Sequence, residues 1–213
     1  MNTFTVTGIR RERRGKVRVS MDSGSALTLT LPVATEAGLR EGQALSPAEI
    51  EGLKSADRLH LSLNAALRFL GPRPRSEGEI RVRLSRRGFD AVAIEQTIAR
   101  LRERGLVDDA AFAEFWRENR ENFRPLSRRL MGLELRRMGV DAETVAEATG
   151  GLDDEANAYR AAQRKVRSLA GLDYPAFRKR LGGFLRRGGF DYEVVNRTVD
   201  RVWQEKAEPQ AKT

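Results

Sequence analysis

The chain has 213 residues, of which 32% are charged and 40% hydrophobic, a balance that supports one large or two small folded domains rather than wholesale disorder. With 39 Lys and Arg against 30 Asp and Glu the formal charge is +9, which favours an anionic partner, either nucleic acid or an acidic protein face. Cysteine is absent and histidine occurs once, at His60, which excludes a disulfide scaffold, a Cys/His zinc site and a cysteine nucleophile.

In chain order, the first 56 residues read as a strand-rich module. Phe4 and Val6, then Val17, Val19 and Met21, then Leu27, Leu29 and Leu31 alternate with polar residues. Period two in three short runs, with RRERRG and DSGS between them, predicts three antiparallel strands. A short helix is expected from Val33 to Ala37, ended by Gly38. Another opens at Ser46-Pro47, a capping residue followed by proline in the first turn.

From Asp57 onward the period is helical, and the sequence repeats. LSRRGFD (Leu84 to Asp90), LRRMGVD (Leu135 to Asp141) and LRRGGFD (Leu185 to Asp191) share Leu, Arg, Gly and Asp at the same four positions. Ile80, Met131 and Leu181 lie one turn before the leucine; Ile94, Val145 and Val195 lie four residues after the aspartate. Leucine and its preceding partner make a buried stripe, and glycine ends the helix in the left-handed conformation. Phe89, Val140 or Phe190 then enters the core, and aspartate caps the next helix.

A further helix precedes each pair. The first runs from about Arg58 to Leu70. The second opens at Asp108-Asp109 and carries Phe112, Phe115, Trp116 and Phe123 on one face, and the third opens at Asp153-Asp154. The expected fold is mainly α: three tandem three-helix repeats (57–106, 107–151 and 152–205) forming an elongated curved body, after the N-terminal module (1–56) and before a disordered tail (206–213).

Catalysis finds little support. No Walker A loop, dinucleotide fingerprint or nucleophile elbow occurs, and His60 has no identified partner. The pairs Asp108-Asp109 and Asp153-Asp154 are explained by helix capping, so neither a metal nor a cofactor is expected. Gly150-Gly151, Gly182-Gly183 and Gly188-Gly189 read as helix ends or close packing. The aromatics are spaced for burial, leaving no exposed stacking platform for bases. No apolar run suits a bilayer, and MNTFTVTGIRRERR lacks a signal-peptide core, so the expected setting is the cytoplasm, away from membranes.

The basic residues are grouped by repeat. Arg83, Arg86 and Arg87 share a helical face, with Arg73, Arg75 and Arg81 nearby; Arg128, Arg129, Arg136 and Arg137 serve the second repeat; Arg178, Lys179, Arg180, Arg186 and Arg187 serve the third. Arginines in this setting suit phosphate or carboxylate recognition. At Arg86, Arg137 and Arg187, in the last helical turn, the helix dipole is an equally good account.

RPRSEGEIRVRLSRRGFD (Arg73 to Asp90), LVDDAAFAEFW (Leu106 to Trp116) and LRRMGVD together resemble the RecX regulatory proteins, modulators of the RecA recombinase, over roughly Leu61 to Trp203. Two features depart from that family's pattern: Pro125-Leu126, where relatives commonly carry a glycine, and Gly182-Gly183 inside a helix. The resemblance implies a protein that binds RecA-type filaments on single-stranded DNA and restrains ATP hydrolysis and strand exchange. The missing catalytic motifs make it a non-enzymatic regulator, and the repeats, which need no partner to complete their core, make a monomer the expectation. The binding residues would be Arg73, Arg75, Arg81, Arg83, Arg86, Arg87, Arg128, Arg129, Arg137, Arg178, Lys179, Arg180 and Arg187. The alternative is a helix-turn-helix-like protein acting on DNA directly.

Overall fold

Val6, Val17, Val19, Met21, Leu27 and Leu29 are all buried, and in the computed structural model, which describes residues 3–207, they point to one face of a small sheet. Its strands are β1 (Phe4–Arg11), β2 (Lys16–Met21), β3 (Ala26–Thr30) and a two-residue β4 (Ala44–Leu45), ordered β3-β2-β1-β4 with every pair antiparallel. The sheet therefore has four strands, not the expected three. A pair of residues is too short to show alternation, and β4 is held by Phe4 opposite Leu45. Leu31 leaves the strand pattern to open helix α1 (Leu31–Glu36), because Pro32 fits a first helical turn and supplies no ladder donor.

Helix α2 (Pro47–Leu70) runs unbroken across the boundary expected at Asp57. Ser46 and Glu49 close a reciprocal capping box (Glu49 N to Ser46 Oγ 3.2 Å, Ser46 N to Glu49 Oε2 2.7 Å), worth about 1 kcal/mol. Nothing between Ala48 and Asp57 then breaks the helix. Its first half packs Ile50 and Leu53 on the sheet. Its second half packs Leu63, Ala65 and Ala66 with Ile80 and Leu84 of α3 (Glu77–Ser85) and Ile94, Ile98 and Leu101 of α4 (Ala91–Glu103). The Asp57 carboxylate accepts from the Thr30 amide at 2.6 Å, tying the end of β3 to the middle of α2.

The remaining helices are α5 (Asp109–Phe123), α6 (Arg128–Arg137), α7 (Ala142–Gly150), α8 (Asp154–Val166), α9 (Tyr174–Arg187) and α10 (Tyr192–Ala207). Phe112, Met131, Leu135, Val140 and Val145 form the core of the second repeat; Phe177, Leu181, Leu185, Phe190, Val195 and Val199 form that of the third. Fully burying each such side chain contributes about 1.5–3 kcal/mol. Helix α9 passes through Gly182-Gly183 without a break. An ideal Cβ at Gly182 would sit 3.5 Å from Val195 Cγ1, an ordinary contact, so packing of α9 against α10 does not itself demand glycine there.

The chain folds as two compact units, one comprising residues up to 75 with 79–107, the other 76–78 with 108 onward. Lys206 and Ala207, expected in the tail, are helical. The Lys206 ammonium lies 4.6 Å from the Trp203 ring centre and 5.5 Å from that of Phe177, which holds the last turn down. The rest of the expected tail, 208–213, lies outside the described residues.

Candidate functional site

The middle helix of each repeat ends in one geometry. The amides of Phe89, Val140 and Phe190 donate to the carbonyls of Leu84, Leu135 and Leu185 at 3.3, 3.2 and 3.4 Å. The preceding glycines donate to Ser85, Arg136 and Arg186 carbonyls, and their φ angles are 83°, 85° and 87°. This is a Schellman C-cap, three times over. Just before each turn stand Arg86 and Arg87, Arg136 and Arg137, Arg186 and Arg187. All six are exposed, and among the described residues none makes an ion pair. Each pair adds positive charge where helix carbonyls are unpaired, so the dipole favours it without neutralising it.

After the turn Asp90 and Asp141 cap the next helix as expected, whereas Asp191 makes no such side-chain bond among the described residues. Asp90 accepts from the Ala93 amide at 2.8 Å, and Asp141 from the Glu143 and Thr144 amides at 3.0 and 2.9 Å. The Ala93 amide, with Arg58 beside it, holds the Asp90 carboxyl below its ordinary range, and the Thr144 amide and hydroxyl do the same for Asp141.

The double aspartates divide their work. Asp108 and Asp153 cap their own helices, accepting from Ala110 and Ala111 and from Glu155 and Ala156. Asp109 and Asp154 instead accept from the first amides of α3 and α6, Glu77 N at 2.8 Å and Arg128 N at 2.6 Å. A second link repeats beside each. Ser76 Oγ donates to Met138 O (2.5 Å), and Ser127 N donates to Gly188 O (2.9 Å), the equivalent carbonyl one copy later. These acids are thus joints of the scaffold. Among the described residues no cluster of three His, Asp or Glu side chains is placed to hold a metal ion, and no helix is long and apolar enough to cross a membrane.

The predicted binding residues separate into two groups. Arg73 forks onto Glu79 (2.6 and 3.1 Å), Arg75 stacks 4.1 Å above Phe69 and reaches the same carboxylate at 3.4 Å, and Arg81 pairs with Glu95 at 2.8 Å. Arg83 lies 5.4 Å from the Phe69 ring. Arg73, Arg75 and Arg81 thus have carboxylate partners within the first repeat, whereas Arg83 is exposed with only that ring near it among the described residues. Arg128, Arg129, Lys179 and Arg180 join the six turn arginines as exposed cations without an ion pair among the described residues, while Arg178 makes only a long contact to Asn196 Oδ1 at 3.4 Å.

Two aromatic rings, Phe123 and Tyr192, lie exposed to solvent. Phe123, assigned from its spacing to the buried face of α5, is 74% exposed at the last residue of that helix, beyond the core that Phe112 joins. Tyr192, which opens α10, is 67% exposed, so a free ring does stand beside the basic residues of the third repeat, contrary to the expectation of none. The register held a signal for it: Ala91 and Ala142 occupy the same position in the other copies.

Residues 63–101, 108–148 and 153–199 match models of the first, second and third three-helix domains of RecX. Similar proteins named "Regulatory protein RecX" include that of Streptomyces coelicolor, 33% identical over 177 residues covering 81% of this chain and 94% of the relative. Those of Amycolatopsis mediterranei and Chlorobium phaeobacteroides are 36% and 34% identical, covering 68% and 67% of this chain and 83% and 94% of theirs. Among solved structures, a regulatory protein RecX superposes with a TM-score of 0.66 at 19% identity, covering 92% of this chain and 99% of its own. RecX from Lactobacillus salivarius gives 0.57 at 20% identity, covering 70% of this chain and 99% of its own. Coverage of 92% takes in most of the N-terminal sheet module as well as the helical repeats.

Proposed function

Because the chain belongs to the RecX family of regulatory proteins, we propose that it binds filaments of a RecA-type recombinase on single-stranded DNA and inhibits their ATP hydrolysis and strand exchange, as a cytoplasmic monomer without catalysis of its own. The observation that carries this reading is the exposed arginine that recurs at one register of the turn, Arg86, Arg137 and Arg187, each beside a second exposed arginine (Arg87, Arg136, Arg186) and none in an ion pair among the described residues. A polymer offers the same phosphates or acidic side chains at intervals. Three equivalent cationic turns suit such a ligand, because contacts too weak alone add through high effective concentration. Inhibition further requires that the protein bind a less active filament state more tightly than the active one, since equal affinity shifts nothing.

The test is recombinase ATP turnover on single-stranded DNA as the protein is added. Turnover falls with the native chain. Reversing Arg86 and Arg87 to Glu raises the concentration needed for half-inhibition about tenfold while helicity is unchanged. Arg83 is left out of that variant because its ring contact would confuse binding with folding. Tight sequence-specific binding to naked duplex at physiological salt, with no effect on turnover, would overturn the proposal in favour of a protein acting on DNA directly.

A further inference from the structure

The three hairpins are copies of one another, yet the same spot between their second and third helices is filled in three ways. In the first, Arg81 stands on the middle helix and pairs with Glu95 across the gap. In the second, Gly132 faces Val145, and the flanking positions of the next helix are Ala142 and Ala146. In the third, Gly182 faces Val195, and those flanking positions are Tyr192 and Asn196. Only in the third hairpin do a ring and an amide flank the glycine, and there Gly182, Tyr192 and Asn196 line a cleft of about 440 Å³ between α9 and α10.

The chemistry of this cleft is specific. Its floor is aliphatic, from Val195 and Val199, and its rim carries Arg178, Lys179 and Arg186. No carboxylate is among the described residues that line it. Of the lining residues, Tyr174 donates its hydroxyl to Asp200 at 2.6 Å. Tyr192, at the edge, leaves its ring in water beside the cations. An apolar floor, an exposed ring, an amide and three cations match the parts of a nucleotide: sugar and base edge, base face, Watson–Crick groups and phosphate. Of the acidic peptides, one made of glutamate alone would meet the cations but offer no ring to stack on Tyr192.

We propose that the cleft between α9 and α10 is a single-stranded nucleic-acid subsite, in which Tyr192 stacks on a base, Asn196 bonds its edge, and Arg178, Lys179 and Arg186 hold the adjoining phosphates. This deepens the reading above, on which it rests for the identity of the polymer. It adds that the protein grips the strand itself and that the third repeat, unlike the other two, contacts bases.

The experiment measures binding of a labelled oligothymidylate to the full chain by fluorescence anisotropy, against an oligomer of equal length with abasic spacers and an equal charge of oligoglutamate. The native chain binds the thymidylate about tenfold or more tighter than the abasic strand, as one stacked base is worth ~1–3 kcal/mol. Tyr192→Ala removes that preference, Tyr192→Phe restores it, and melting curves of both match the native chain because the ring is exposed. Equal binding of thymidylate and abasic strands by the native chain, or oligoglutamate displacing the thymidylate at equal charge, overturns the subsite. Recombinase turnover reports separately. A base preference lost in Tyr192→Ala, in a native chain that leaves turnover unchanged, upholds the subsite and sinks the regulatory reading. Inhibition without any base preference does the reverse.

Discussion

Gly88, Gly139 and Gly189 share one backbone geometry but not one neighbourhood. An added Cβ at Gly88 would meet nothing within 4 Å; at Gly189 it would lie 2.5 Å from Ser127 Oγ and 2.7 Å from Leu130 Cβ; at Gly139 it would lie 2.7 Å from the Gly78 Cα. All three substitutions to alanine carry the left-handed penalty of about 1–2 kcal/mol. Gly189→Ala and Gly139→Ala add overpacking of about 1–3 kcal/mol, the first against Ser127 Oγ and the fixed Leu130 Cβ, the second against the Gly78 backbone. Urea midpoints are therefore expected to fall least for Gly88→Ala and further for both Gly189→Ala and Gly139→Ala. Equal losses would show that only the φ angle matters. The same residues mark what the sequence makes legible. The turn glycine, the capping aspartate and the buried leucine are set by neighbours within a few positions, so a short motif reveals them. The roles of Arg75 and Arg81 depend on Phe69, Glu79 and Glu95, side chains that only the folded chain brings up, and charge spacing alone made them look like a binding face.

Among the elements, the strongest departures from local expectation are α2 and the joints at helix starts. A boundary at Asp57 followed from the change in period, but α2 serves two cores in succession, and period reports which face is buried rather than where a helix ends. Likewise each Asp-Asp pair reads as an N-cap, and only one member is one for its own helix. Asp154→Ala is expected to cost about 1 kcal/mol by leaving the Arg128 amide unsatisfied, the usual size of a lost cap. Hydrogen exchange decides the assignment: faster exchange at the start of α6, with α8 unaffected, fits the joint. Loosening confined to α8 would mean that Asp154 serves its own helix after all.

At the scale of the molecule, the sheet module and the first hairpin share one helix, so they are not separable at Asp57. A chain starting at Asp57 loses residues 47–56 of α2 with its capping box, whereas a chain starting at Ser46 keeps both. The shorter chain is expected to melt well below the longer one, and identical melting would make the first half of α2 dispensable. The joints have a further bearing on descent. Asp109 with Glu77 and Asp154 with Arg128 place acceptor and donor at matching registers. Asp173, at the start of α9, bonds Ala176 of its own helix and needs no successor. The aspartate-to-amide bond is common to both seams but the packing beside it is not, Gly139 lying against Gly78 and Gly189 against Leu130, so a gained or lost internal copy would have to carry its own small residues with it.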